Sequence, residues 1–163
     1  MKKTIICCIA FLCCTLAAQA QFEKNKWFFN TSATGLGFSY SGSEKARFGF
    51  ETVGGAFVAD NFSLLLDFGG EYGKGIADQT HVGVKTRYYF EKVGIFLGGG
   101  LRYKHFGASA AFPNDIAAAF EAGYAFFVSR TVTFEPALFY DQSLTHHRDL
   151  SKVGFKVGFG FYF

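Results

Sequence analysis

Cysteine is absent from most of this chain: all four, Cys7, Cys8, Cys13 and Cys14, fall within the first twenty of its 163 residues. That stretch has a basic head (Met1-Lys2-Lys3), an apolar run from Ile5 to Ala18 and a small-x-small site at Ala18-Gln19-Ala20. It reads as a secretory signal over residues 1–20, removed on export, with a core too short to span a membrane as a helix. Residues 21–163 are then expected to form one domain with no disulfide, thiolate metal site or cysteine nucleophile. A lipid anchor on one of these cysteines fits poorly, because none has the small residue and upstream leucine that such a site wants. Charge of one sign is also missing. The chain has 16 Lys and Arg against 13 Asp and Glu, and Lys2 and Lys3 lie in the segment to be removed. A near-neutral remainder argues against a nucleic-acid partner, which would need a basic face. No later segment offers the roughly 18 uncharged apolar residues of a membrane helix.

What the chain does have is 23 Phe, 8 Tyr and 20 Gly with only 2 Pro, arranged with a hydrophobic period of two. That period marks strands with one apolar face. Near the end of the chain, Val153, Phe155, Val157, Phe159, Phe161 and Phe163 share one face, and Lys152, Gly154, Lys156, Gly158, Gly160 and Tyr162 the other. Eight such segments are predicted, at 27–40, 46–58, 62–72, 79–90, 93–106, 115–128, 131–142 and 151–163. Tight turns at Ala59-Asp60-Asn61, Glu91-Lys92 and Ser129-Arg130 alternate with longer loops at 41–45, 73–78, 107–114 and 143–150. Short and long links in alternation predict an all-β fold, an eight-stranded antiparallel up-and-down transmembrane barrel.

The charged residues sharpen this reading. Arg47, Glu51, Asp67, Glu71, Lys85, Arg87, Arg102, Lys104, Glu121, Glu135, Asp141, Lys152 and Lys156 share one face within each strand. The opposite face carries residues such as Phe48, Phe50, Leu64, Leu66, Phe68, Val82, Val84, Leu101, Phe120, Phe134 and Leu138, and no charge. Roughly eight strands enclose a space that side chains just fill, too small for a dozen aromatic rings. The charged, glycine-rich face is therefore expected inside, as an ion-paired network, and the aromatic face outside, against lipid. Tyr40, Tyr72, Tyr103 and Tyr140 fall at the loop ends of their strands, and Tyr88 and Tyr124 near the turn ends. Two tyrosine belts at two depths suit the two interfaces of a bilayer, where an apolar ring meets lipid and a hydroxyl meets water. Pro136 removes a ladder N–H from a closed sheet, so a local bulge is expected there.

The final residues, Lys156-Val157-Gly158-Phe159-Gly160-Phe161-Tyr162-Phe163, resemble the C-terminal assembly signal of bacterial outer-membrane barrels, with Lys156, Gly158, Phe161 and Phe163 at its defining positions. Residues 21–163 resemble the outer-membrane protein β-barrel domain family and are similar to small eight-stranded barrels of the OmpA/OmpX type. Phe48 to Asn61 resembles that family's second strand and first periplasmic turn. The resemblance implies a Gram-negative outer-membrane location, with outer-membrane lipid and lipopolysaccharide as surroundings. It also implies periplasmic chaperones and the barrel-assembly machinery as partners.

Chemical motifs are sparse. Gly73-Lys74-Gly75 and Gly98-Gly99-Gly100 are followed by no helix, so neither reads as a phosphate cradle. His146-His147 have no evident third metal ligand, and His81 and His105 are expected at the membrane interface. No cofactor is implied, and the loops carry no motif that names a ligand. Three readings follow. The first is a non-enzymatic outer-membrane barrel serving envelope structure or surface interactions through its loops. The second is a lipid A-modifying barrel enzyme using Ser143, His146 or His147, and Asp141 or Asp149. The third is a soluble lipocalin-like binding barrel, apolar inside and polar outside.

Overall fold

The computed structural model describes residues 22–34, 48–72, 78–90, 93–107, 114–145 and 150–163. The expected signal at 1–20 lies outside these residues, as do Tyr40, Arg47, His146, His147 and Asp149. The strands are β1 (Trp27–Thr34), β2 (Phe48–Ala59), β3 (Phe62–Tyr72), β4 (Gln79–Tyr89), β5 (Ile95–Phe106), β6 (Asn114–Tyr124), β7 (Phe126–Phe127), β8 (Val132–Ser143) and β9 (Lys152–Tyr162). Along most of their length the strands other than β7 alternate a buried residue with an exposed or half-buried one, as the period of two requires.

Nine segments make eight staves, because β6 and β7 both pair with β8 and are separated only by Ala125. Each stave is antiparallel to its neighbours, and β1 pairs with both β2 and β9, so the sheet closes. At the seam, Trp27 N donates to Phe163 O (3.1 Å) and Phe163 N to Trp27 O (3.0 Å).

Pro136 does not produce the expected bulge. Its pairing with Val157 on β9 stays in register, as do its neighbours Glu135 with Gly158 and Ala137 with Lys156. On the other side the ladder is simply interrupted, from Gly123–Ala137 to Phe126–Phe134, and it resumes in the same register. A missing N–H is accommodated by a gap between β6 and β7 rather than by an inserted residue. The register shift in the β2–β3 pairing lies at Phe57/Ala59, beside the turn where Asn61 takes φ 63°. Asparagine tolerates that left-handed conformation better than most residues.

Candidate functional site

The barrel has two surfaces of opposite chemistry. Outward-facing side chains include Phe48, Leu64, Leu66, Phe68, Val82, Leu101, Phe120 and Leu138, all exposed. Tyr72, Tyr103 and Tyr140 are exposed toward the end remote from the chain termini, and Tyr88 is exposed at the other end. Tyr124 is half-buried there, its ring tilted 41° against Phe126 with centroids 4.2 Å apart. Tyr89 and Tyr162 belong to the interior.

Seven acids (Glu51, Asp67, Glu71, Asp115, Glu121, Glu135, Asp141) and six bases (Lys85, Arg87, Arg102, Lys104, Lys152, Lys156) are buried. At mid-height, Glu51 accepts from Lys85 (2.5 Å), Lys156 (2.6 Å) and Arg102 (2.6 Å). Arg102 also reaches Asp67 (2.6 Å) and Asp141 (3.0 Å), while Lys156 reaches Glu121 (2.6 Å). Toward the end remote from the termini, Lys104 meets Asp141 (2.8 Å) and Lys152 meets Glu71 (2.5 Å). Each of these buried cations thus faces carboxylate, in an interior where an unpaired ion would be costly.

Nearer the termini, Arg87 pairs with Glu121 and with Glu135 (2.9 Å), its guanidinium lying over the rings of Phe96 (4.4 Å) and Phe28 (5.3 Å). Glu135 also accepts from the Tyr162 hydroxyl (2.9 Å), Asn30 (3.0 Å) and Thr133 (2.7 Å). Below this layer the interior is aromatic: Phe28, Phe57, Tyr89, Phe96 and Tyr162. Phe22, from the segment before β1, closes this floor, stacking on Tyr89 at 4.2 Å between centroids. Its carbonyl accepts from Asn61 N (2.7 Å) and anchors the segment to the first turn.

Three features differ from the sequence reading. His81 is not at an interface but inside, with Nε2 3.1 Å from Asp67 Oδ1, on the same face as Lys85 and Arg87. A Cβ on Gly69 would lie 2.6 Å from the His81 ring, so a residue without a side chain makes room for it. The interior is not composed only of ions and short residues, since one end is packed with rings. Asp115, absent from the predicted set, is also buried. Its parity with Glu121 on β6 was the available signal.

The four assembly-signal positions divide between the two surfaces. Lys156 is inside; Phe163 is outside and 74% exposed, and Phe161 is half-buried. Gly158 has a packing reason of its own, because a Cβ there would lie 2.8 Å from Ser32 Cβ and 2.9 Å from Thr31 O. Of the candidate Ser-His-acid set, His146, His147 and Asp149 lie outside the described residues; the buried Ser143 hydroxyl donates to Asp115 (2.8 Å), and Asp141 faces Arg102 and Lys104.

No protein-family model matches the chain, and no curated protein does. Solved structures do. The N-terminal β-barrel domain of Pseudomonas aeruginosa OprF aligns with 86% of this chain and 98% of its own, at 16% identity and a TM-score of 0.67. This chain has the fold of the small outer-membrane β-barrels. Neisserial surface protein A aligns over 85% of this chain and 96% of its own, with 11% identity and a TM-score of 0.61. The outer membrane protein OprG of P. aeruginosa covers 88% and 98%, with 14% identity and a TM-score of 0.58. A barrel of this outer-membrane type with ions inside and hydrocarbon outside has the opposite polarity to a lipocalin-like binder.

Proposed function

We propose that this chain is an integral outer-membrane barrel of a Gram-negative envelope, without enzymatic activity, contributing to envelope structure or to surface interactions through its loops. The observation that carries the reading is the apolar outer face wrapped around an ion-paired interior. Such a surface is stable only where the outer solvent is hydrocarbon. In this reading the chain termini and short turns face the periplasm. The opposite end of the barrel, where Tyr72, Tyr103 and Tyr140 lie, faces the cell exterior among lipopolysaccharide. Periplasmic chaperones deliver the unfolded chain to the barrel-assembly machinery, which reads Phe163 and the residues before it.

Fractionation of cells expressing the full chain tests the location. Retention in the outer-membrane fraction after carbonate washing, with release by detergent, is expected; recovery as a soluble periplasmic protein would exclude it. Lipid A mass spectra with and without the gene test the absence of lipid-modifying activity and should superimpose. A reproducible mass change that depends on the gene would replace this reading with the enzymatic one.

A further inference from the structure

At one level of the outer wall, the neighbouring strands β1, β2 and β3 carry Phe29, Gly54 and Leu66 side by side. The middle position has no side chain. The result is a groove of about 1020 Å³ along β2, with Trp27 and Phe29 on one side and Leu66 and Phe68 on the other. Its volume is that of a small-molecule site, usually about 300–1,000 Å³. A Cβ on Gly54 would meet only the edge of the Phe29 ring, at 3.8 Å, so the space above this residue is open. The inward-facing Gly55 differs, because a Cβ there would collide with the backbone of Leu64. The groove opens at the rim nearest the termini, where Trp27 and Phe163 exchange backbone hydrogen bonds and are both largely exposed. Trp27 lies level with Leu64, four residues of β3 from Phe68, which is about 13 Å of strand. Tilted as barrel strands are, that length stays within one leaflet of an apolar band about 25 Å tall.

We propose, resting on the outer-membrane reading above, that this groove holds one acyl chain of a phospholipid from the periplasmic leaflet. Neighbouring strands lie about 4.8 Å apart, so the slot between β1 and β3 is a single stave wide. One hydrocarbon chain enters such a slot, whereas the broad convex wall of a second barrel does not. An alkyl chain lying over Gly54 gains dispersion contacts from the floor and from both sides, where a flat wall offers one surface only. Trp27 stands at the mouth, and its amphipathic indole suits the depth at which the chain joins its glycerol ester. Gly54 is the residue that admits the chain, since any larger side chain there grows into the slot rather than into the wall.

Trp27 is the single tryptophan of the chain, so its fluorescence reports on this rim. The full chain, folded in micelles of an uncharged detergent, is titrated with phosphatidylethanolamine carrying dibrominated acyl chains. Quenching of Trp27 should saturate, and native mass spectrometry should show one retained lipid per barrel. Gly54→Leu fills the slot from its floor and should lose both the saturable quenching and the retained lipid while folding as wild type does. Gly99→Leu is the control, because Gly99 also opens outward, with nothing nearer than 3.9 Å, but lies on β5 away from the groove. It should behave as wild type. Unsaturable quenching of wild type, or a retained lipid that survives Gly54→Leu, would overturn the proposal. So would a barrel that pairs with a second copy in the micelle and separates in Gly54→Leu. If Gly54→Leu does not fold, Phe29→Ala removes one side of the slot, and unchanged saturable quenching in that variant would overturn the proposal equally. Failure of the membrane reading has its own signature: the folded chain would stay in solution after the detergent is withdrawn.

Discussion

Leu66 and Asp67 are adjacent in β3, yet Leu66 is 68% exposed and Asp67 is 1% exposed. One peptide step crosses the wall of the barrel. Leu66→Arg therefore places a charge on the outer face, at a cost of about 2–4 kcal/mol near the middle of a bilayer. Asp67→Asn keeps the shape of the side chain, and Arg102 retains Glu51 and Asp141. Folded yield in lipid vesicles, scored by heat-modifiable gel mobility, should fall much further for Leu66→Arg. The reverse ranking would mean that the two faces have exchanged solvents.

Glu51 carries more of the interior than any single-partner acid, because three cations converge on it. Removing its charge leaves Lys156 with Glu121, and Lys85 with Glu121 and a longer contact to Asp67 (3.5 Å). Glu51→Gln should destabilise the barrel by about 3–5 kcal/mol, as is usual when one side of a buried ionic cluster is deleted. Glu71→Gln, which weakens the Lys152 contact at 2.5 Å, should cost less. Urea unfolding in micelles gives the order directly.

Phe22 lies outside every strand but seals the aromatic floor. Phe22→Ala should cost about 3–5 kcal/mol, the usual range for emptying a buried aromatic site. Neither wild type nor this variant should conduct in planar bilayers with large stable steps, because Arg87, Glu121 and Glu135 still fill the interior above the floor. Sustained conductance of porin size from wild type would show that the interior is open.

Phe163 and Gly158 separate recognition from packing. Phe163→Ser should reduce assembly into the outer membrane of cells while refolding in detergent stays near wild type, since the ring is largely exposed. Gly158→Ala should impair both, because its methyl group meets Ser32 and the backbone of β1. A Phe163→Ser chain that fails equally in detergent would remove the case for recognition.

The alternation of short and long links was enough to read the antiparallel barrel, and the parity of charge along each strand to read its two faces. Parity gives a side of the wall and nothing about depth. Phe28, Phe57, Tyr89 and Phe96 sit on the ionic face but near one end, so their gathering into a floor depends on strand register and closure. Phe22 precedes the first strand and belongs to no alternating pattern. His81 was misplaced because histidine counts neither as a fixed charge nor as an apolar residue, although its odd position in β4 matched Lys85 and Arg87. Pro136 misled for another reason: a missing donor can be absorbed by a ladder gap as well as by a bulge.

The paired backbone bonds between Trp27 and Phe163 make the beginning of the sheet an arbitrary point on a ring. A circularly permuted chain, with Phe163 joined to Trp27 by a short linker and opened in the segment between β5 and β6, would retain every strand pairing. Its terminal residue would no longer be Phe163, and the segment carrying Phe22 would need to be supplied on the linker. Such a chain would uncouple the thermodynamics of the closed wall from whatever the cell reads at a free carboxyl end.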